Sequence, residues 1–381
     1  MPWKDRTVEE LREEFVHAAA ESSRNFSALC REFGITRKTG YKWITRSRGG
    51  ETMQNRSRRP HSVANRTAPE IEQQIVAIRQ SHPGWGARKI AHVLGETEPC
   101  PPCVKTVNNI LNRYHCIDKE ESLKHMPHTR FEKERCNEMW QADFKGEFRM
   151  QDGNYCFPLD IMDDHSRFAI RVEADTHTAG RVIPTFREAF YEYGMPDSIL
   201  SDNGAQFAGF RQGYTQFEKW LMNHDVLPLH GRIKHPQTQG KIERFHRTMK
   251  QELLKHYTPA DITDAVRALH AWRDSYNCER PHEALGMKCP AAIYVPSARI
   301  YCDAVESYTY GGAFHVIKVN SWGYVRFDRF QIYLSETMAG EYIEFRPHRD
   351  RDTFVACYRN FAIGEFDART GELLHRRISR L

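Results

Sequence analysis

Near the N-terminus apolar residues recur at helical spacing. Leu11, Phe15 and Ala18 form one stripe and Phe26, Leu29 and Phe33 a second. The stretch "FGITRKTGYKWITR" then offers a tight turn at Gly34, a capping candidate at Thr36 and a cationic helix from Arg37, with Trp43 and Ile44 turned inward. Two short helices around a Gly-containing turn predict a helix-turn-helix. A polar, punctuated stretch, "GGETMQNRSRRPHSVANRTAP", reads as a linker. Beyond it Ile71, Ile75 and Ile78 share a stripe, and "HPGWGARKIAHVLG" and "VKTVNNILNRY" supply two further helices. The result is a second helix-turn-helix, with a wing as an option.

From about Cys136 the period changes. "MWQADFKGEFRM", "NYCFPLDIMDDHSRF" and "AIRVEAD" alternate like strands. "RVIPTFREAFYEYG" is an amphipathic helix, "DSILSDNG" a buried strand with a sharp end, and "YTQFEKWLMNHD" another helix. A helix is expected from Lys241 to about His256, with Ile242, Phe245, Met249 and Leu253 on its apolar side and Glu243, Arg247 and Lys250 away from it. "DITDAVRALHAWRDSYN" is a last helix; after Tyr301 short strands at close spacing suggest a small barrel. The expected order is therefore a helix-turn-helix domain at 1–50, a basic linker at 51–68, a second such domain at 69–130, a mixed α/β domain at 134–297 and a small all-β domain at 300–381.

Charge sharpens this picture only locally. Lys plus Arg is 55 against 50 for Asp plus Glu in 381 residues, a net charge of +5 that names no partner by itself. Between Arg37 and Arg66, however, Arg37, Lys38, Lys42, Arg46, Arg48, Arg56, Arg58, Arg59 and Arg66 are opposed only by Glu51. A solvated linker is the plain reading of such a run, and a phosphate-binding arm the pointed one. Arg37, Lys38 and Lys42 stand on the helix that would enter a DNA groove. Arg46, Arg56, Arg58 and Arg59 extend that surface, and Arg88 and Lys89 occupy the matching helix of the second unit. No apolar stretch approaches the ~20 residues that a membrane helix needs. Ten scattered cysteines fit a reducing cytosol better than a disulfide framework. "CPPC" at Cys100–Cys103 is reminiscent of zinc, but its spacing to His115 and Cys116 suits no common site, so it reads as a Pro-stiffened loop.

Three acids stand where α/β folds gather active sites. Asp143 shares one side of an alternating strand with Gln141, opposite Trp140 and Ala142. Asp202 ends an apolar strand, and Glu243 sits in the first turn of a helix after "HPQTQG". Three gathered carboxylates cannot all remain ionised without compensating charge, and oxygen ligands favour Mg²⁺. Glu243 also has a plain reading, an ion pair with Arg247 four residues on. Asp160, Asp163 and Asp164 in "DIMDDHSRF" are read as strand-end and turn acids outside the site, with Asp164 beside His165 as a possible support. His235, Lys241, Arg244, Arg247 and Lys250 are candidates to hold phosphates.

"MWQADFKGEF", "LDIMDDHSRF", "ILSDNGAQF", "HPQTQGKIERFHRTMKQEL" and "YNCERPHEALGMKCPAAIY" resemble the integrase core of bacterial insertion-sequence transposases, within the retroviral-integrase superfamily and its ribonuclease H-like fold. "FSALCREFGITRKTGYKWI" and "PGWGARKI" are similar to the two helix-turn-helix units such proteins carry upstream. The resemblance covers nearly the whole chain. It implies that Asp143, Asp202 and Glu243 are catalytic metal ligands for two Mg²⁺ ions, with Mn²⁺ as a substitute. It implies double-stranded DNA as partner: terminal inverted repeats first, target DNA second. Metal-dependent hydrolysis would free 3′-hydroxyls, which join to target by direct transesterification. It also implies a bacterial, cytoplasmic, nucleoid-associated protein. One departure is a longer gap between Asp202 and Glu243, around "GFRQGYTQ". A retroelement integrase would need an N-terminal His–His–Cys–Cys zinc unit that this sequence lacks. A non-catalytic DNA-binding regulator would not need all three acids. One acid triad for two element ends implies a dimer or higher oligomer, with Arg326, Arg329, Arg346 and Arg349 suited to bridging DNA and a neighbouring subunit. Nothing in the sequence identifies a helper ATPase.

Overall fold

The computed structural model describes residues 7–21, 25–56, 66–117, 133–178, 180–209, 213–231, 240–312, 314–348 and 352–381. Two compact units divide the chain, residues 1–66 and 67–381.

In the first unit α1 (Val8–Ala20), α2 (Phe26–Glu32) and α3 (Arg37–Arg48) close on Phe15, Leu29, Cys30, Trp43 and Met53. Each helix starts at a side-chain cap. Thr7 and Glu10 form a capping box, Asn25 accepts from Ser27, and Thr36 accepts from the Thr39 amide. Gly34, at φ 63°, makes the turn between α2 and α3 that a side chain would strain. Leu11 departs from its expected stripe and is 39% exposed. The Arg12 guanidinium covers Trp43 at 4.1 Å instead, and donates to the Met53 carbonyl.

The second unit opens with α4 (Pro69–Ser81), α5 (Ala87–Thr97) and α6 (Val104–Arg113), packed through Ile75, Trp85, Ile90, Leu94, Val107, Ile110 and Leu111. Cys103 of the "CPPC" stretch is the N-cap residue of α6. Glu72 is buried in this bundle, and Arg113 and Tyr114 donate to its carboxylate at 2.7 and 3.1 Å.

A five-stranded sheet follows, built from β1 (Trp140–Phe144), β4 (Leu159–Asp163), β5 (Ala169–Glu173), β6 (Ser198–Ser201) and β7 (Leu227–His230); β2 (Phe148–Arg149) and β3 (Tyr155–Cys156) form a small hairpin beside it. Its order is β5-β4-β1-β6-β7, antiparallel between β1 and β4 and parallel from β1 to β6 and β7. Helices α7 (Val182–Tyr193) and α8 (Gln216–Asn223) cover the face bearing Trp140, Ala142 and Ile161. Helices α9 (Gly240–Met249) and α10 (Ile262–Cys278) cover the other through Ile242, Phe245, Met249, Leu269 and Trp272. A mixed sheet between helices is the ribonuclease H-like arrangement. The fifth strand, β7, was not visible in the pattern, because Pro228 breaks its alternation. It lies at the sheet edge, where proline is tolerated. The helix expected to run to His256 changes character after Met249. Lys250–Leu254 is a π turn, which resets the side-chain register and leaves Leu253 only partly buried.

The C-terminal part is all-β and antiparallel, as expected. Strands β8 (His315–Lys318), β11 (Tyr342–Pro347), β12 (Thr353–Tyr358), β13 (Phe361–Asp367), β14 (Leu373–His375) and β15 (Ser379–Arg380) form one sheet. The hairpin of β9 (Tyr324–Phe327) and β10 (Phe330–Tyr333) packs on it, with Phe327 stacked 4.5 Å from Phe345. Its core includes Tyr214 and Met222 from the region of α8, so the two parts share buried surface. A charge cluster seals the join. Glu218 is fully buried, with Arg376 Nη2 at 2.8 Å and His230 Nε2 at 2.9 Å from its Oε1.

Glu218→Ala would leave Arg376 and His230 beside an uncompensated gap, and removing one partner of such a cluster costs about 3–5 kcal/mol. Burial alone pushes the Glu218 carboxyl up, but the His230 contact and the Arg376 charge outweigh it, and the net displacement is downward. A lowered folded value means stabilisation that is present above the ordinary glutamate range and lost as pH falls through the folded value. Urea unfolding should therefore show a large deficit for Glu218→Ala at neutral pH that narrows only in acid; equal midpoints at pH 7 would refute the assignment.

Candidate active site

Alternation along β1 sends Gln141 and Asp143 toward α9, as the sequence predicts, and Gln141 Oε1 accepts from the Ile242 amide at 3.3 Å. Asp143 lies directly opposite Asp160 in the β1–β4 register, so both carboxylates leave the sheet on the same side. His246 of α9 reaches down between them. Its Nε2 is 2.9 Å from Asp160 Oδ2 and its Nδ1 3.8 Å from Asp143 Oδ2. The Asp160 contact is close but misaligned. Among the described residues, neither Asp160 oxygen nor His246 Nε2 makes a well-directed hydrogen bond, although Asp160 has no solvent exposure. Burial lifts the Asp143 carboxyl to about 6; His246 opposes the rise, and the charges of Asp202 and Asp160 add to it.

Asp202 follows β6, the strand beside β1, and its Oδ1 accepts from the Gly204 amide at 3.0 Å. The structure thus brings Asp143 and Asp202 into electrostatic contact at adjoining strand ends. Glu243 is not gathered with them. It stands exposed on the first turn of α9, one turn before His246. No ion pair joins it to Arg247 among the described residues. Nor do any three His, Cys, Asp or Glu side chains among those residues converge closely enough to hold a metal ion. The donor chemistry nevertheless suits a hard divalent cation: repelling carboxylates in a poorly solvated site are relieved by one.

The acids first read as lying outside the site are less ordinary than that. Asp163 and Asp164 are fully buried. Asp163 accepts from the Asn137 and Ser166 amides and from Ser166 Oγ, between 2.6 and 2.8 Å. Asp164 accepts from Gln141 Nε2 at 2.7 Å, from the Lys133 amide at 2.8 Å and from Lys241 Nζ at 2.5 Å. They tie the β4 turn to the start of α9. Lys145 was missed by sequence reading. It is partly buried next to Asp160 and Lys250, and burial lowers its amine.

The expected phosphate-facing cations divide into groups. Arg37, Lys38 and Lys42 are exposed along α3, and Arg244, Arg247 and Lys250 are exposed on and after α9. Arg46 and Arg56 both pair with Glu51. Arg88 is exposed but 2.9 Å from Glu283. Lys241 is committed to Asp164. Lys89 is turned inward, and burial first, with Arg280 adding, lowers it to about 7 against the pull of Glu252 and Glu283. Glu252, on the π turn after α9, accepts from Arg280 Nε at 2.9 Å and abuts Gly84 closely enough that a Cβ there would overlap it. Arg58, Arg59, His235 and Arg349 lie outside the described residues, as does part of the "GFRQGYTQ" insertion. No helix among the described residues is long and apolar enough to cross a membrane.

Comparison with known proteins finds similarity over three segments of the chain. Two integrase core domain models match residues 133–236 and 224–290, and a homeodomain-like domain model matches residues 39–111. A 31.7 kDa protein of insertion element IS407 from Burkholderia multivorans is 24% identical over 173 residues, 45% of this chain and 60% of its own. A 39.2 kDa protein of insertion element IS476 from Xanthomonas euvesicatoria is 24% identical over 156 residues, 41% of this chain and 43% of its own. The transposase for transposon Tn552 from Staphylococcus aureus is 24% identical over 260 residues, 61% of this chain and 53% of its own. This chain spans about half the length of these relatives.

The raised Asp143 value carries a stability signature. A carboxyl raised from near 3.8 to about 6 favours folding fully below its unfolded value, and that contribution is lost as pH rises through 6. In chelator, Asp143→Asn should therefore unfold at a higher temperature than wild type at pH 7.5, and the advantage should disappear near pH 4. A variant no more stable at pH 7.5 would show that the carboxylate is well solvated.

Proposed function

We propose that this chain, which carries an integrase core behind a homeodomain-like helical region and has relatives among insertion-element proteins, is the DNA transposase of an insertion element. The observation that carries the reading is the placement of Asp143 and Asp202 at the ends of adjoining parallel strands, close enough for their charges to interact, inside the segment that matches the integrase core. Asp143, Asp202 and Glu243 would hold Mg²⁺, or Mn²⁺ in its place, which supplies charge neutralisation at the reacting phosphate. The exposed cations of α3 would bind the terminal inverted repeats, with Lys38 and Lys42 oriented to the groove. Arg244, Arg247, Lys250 and Lys145 would hold the scissile strand's phosphates near the acids. Hydrolysis at the element's end releases a 3′-hydroxyl, and that oxygen displaces another at a target phosphodiester. The first step spends a water and leaves a 5′-phosphate on the other fragment; in the transfer step one phosphodiester forms for each one broken, with no covalent protein–DNA link. One set of acids per chain and two ends per element call for a dimer or larger assembly.

Asp143→Asn, Asp202→Asn and Glu243→Gln should each abolish end cleavage and strand transfer in Mg²⁺ while leaving gel-shift binding of end DNA near wild type. Near-normal strand transfer by any one of them would remove that residue from the site. Arg37→Ala, Lys38→Ala and Lys42→Ala should reduce discrimination between end DNA and random duplex. Loss of a pure phosphate contact would instead weaken both alike and flatten the salt dependence by about one unit of slope. Unchanged discrimination in all three would move end reading away from α3.

A further inference from the structure

Three buried polar atoms beside Asp143 lack a well-directed partner: both Asp160 oxygens and His246 Nε2. Buried polar groups are normally satisfied, because leaving one unpaired costs about 1–3 kcal/mol, so an unsatisfied cluster asks for a reason. The imidazole bridges two carboxylates that face each other across β1 and β4, 2.9 Å from Asp160 and 3.8 Å from Asp143. It also hangs from α9 one turn after Glu243, and residues three apart share a helix face. The apolar packing of Ile242, Phe245 and Met249 holds α9 against the sheet, and the His246 contact adds a polar constraint near its start.

We propose that His246 is a positioning residue for the reaction, seated on Asp160, which sets the Asp143 carboxylate and the first turn of α9 so that Glu243 can join Asp143 and Asp202. This rests on the transposase reading above. Asp160 serves as the anchor. Among the described residues His246 is its ion-pair partner, with the Lys145 charge also beside it, and its place opposite Asp143 means that any drift of the imidazole moves both acids' surroundings together. The buried network of Asp164 with Gln141 and Lys241 fixes the neighbouring positions on β1 and α9, so the pair works within an already rigid frame.

The test compares His246→Ala, His246→Asn, Asp160→Asn and the control Asp143→Asn in the full-length chain. Three quantities are measured: Mg²⁺ titration of end cleavage, Mg²⁺-induced thermal shift of the protein without DNA, and end binding by gel shift. Loss of a group that orients metal ligands typically costs about 10–100-fold in metal affinity or activity. His246→Ala should accordingly cleave about 10–100-fold more slowly, need more Mg²⁺ for half-maximal cleavage and show a smaller Mg²⁺ thermal shift, with end binding unchanged. His246→Asn, whose amide still donates toward Asp160, should recover much of the rate and of the Mg²⁺ response even if the alanine variant folds poorly. The inference is overturned if His246→Ala keeps the wild-type rate and Mg²⁺ midpoint. It is also overturned if alanine and asparagine variants lose rate equally with an unchanged Mg²⁺ midpoint. An active Asp143→Asn would instead bring down the active-site reading itself; an inactive Asp143→Asn beside a normal His246→Ala brings down the positioning role alone.

Discussion

Two carboxylates directly opposite on adjoining antiparallel strands, and a third on the next strand, cannot stay ionised together in a poorly solvated place without positive charge among them. Asp143, Asp160 and Asp202 impose that constraint, and much of the surrounding structure answers it. His246 enters from α9 to stand between two of the acids, Lys145 lies beside the buried one, and a cationic surface follows along Arg244, Arg247 and Lys250. Burial first, with the charges of Asp202 and Asp160 added, raises the Asp143 carboxyl against the opposing pull of His246.

The frame that holds these charges is apolar on one side and ionic on the other. Trp140, Ala142 and Ile161 bury against α7 and α8, while the opposite face of the same strands carries Gln141, Asp143 and Asp160 beneath α9. Polar groups around the sheet are held by bonds from a distance in sequence: Lys241 to Asp164, Asn137 to Asp163, Arg376 to Glu218. Such pairs are weak evidence for stability but strong constraints on geometry, since each admits few arrangements. The C-terminal sheet takes part through Tyr214, whose hydroxyl donates to the Ile363 carbonyl at 2.5 Å and whose ring lies under Arg376.

Where the sequence was legible, a local rule decided the matter. Period-2 alternation put Asp143 on one side of β1, helical spacing put Phe15 and Leu29 in a core, and Thr36 announced the start of α3. What stayed hidden depends on partners far along the chain. Nothing near Asp160 says that it will face Asp143, because strand register is set by the whole sheet. Lys241 and Lys89 look like free cations until Asp164 and Glu252 are brought beside them. His246 reads as one more basic residue in a basic helix, the π turn leaves no mark in apolar spacing, and Pro228 disguises an edge strand. Placement at strand ends and a helix start singled out Asp143, Asp202 and Glu243, and the resemblance implied a catalytic role for them, but neither said anything of the groups around them.

The contact of Gly84 with Glu252 has a consequence for how such proteins can diverge. The first lies in the turn before α5 and the second on the π turn after α9, and no side chain fits at one while the other keeps its length and place. Two positions remote in the chain are thereby coupled sterically in one direction, from residue 84 to residue 252. A lineage that enlarges residue 84 must shorten or redirect residue 252, and with it the partner of Arg280. The bundle of α4, α5 and α6 thus meets the sheet domain at a tight steric contact, and a larger residue at 84 calls for a matching change at 252.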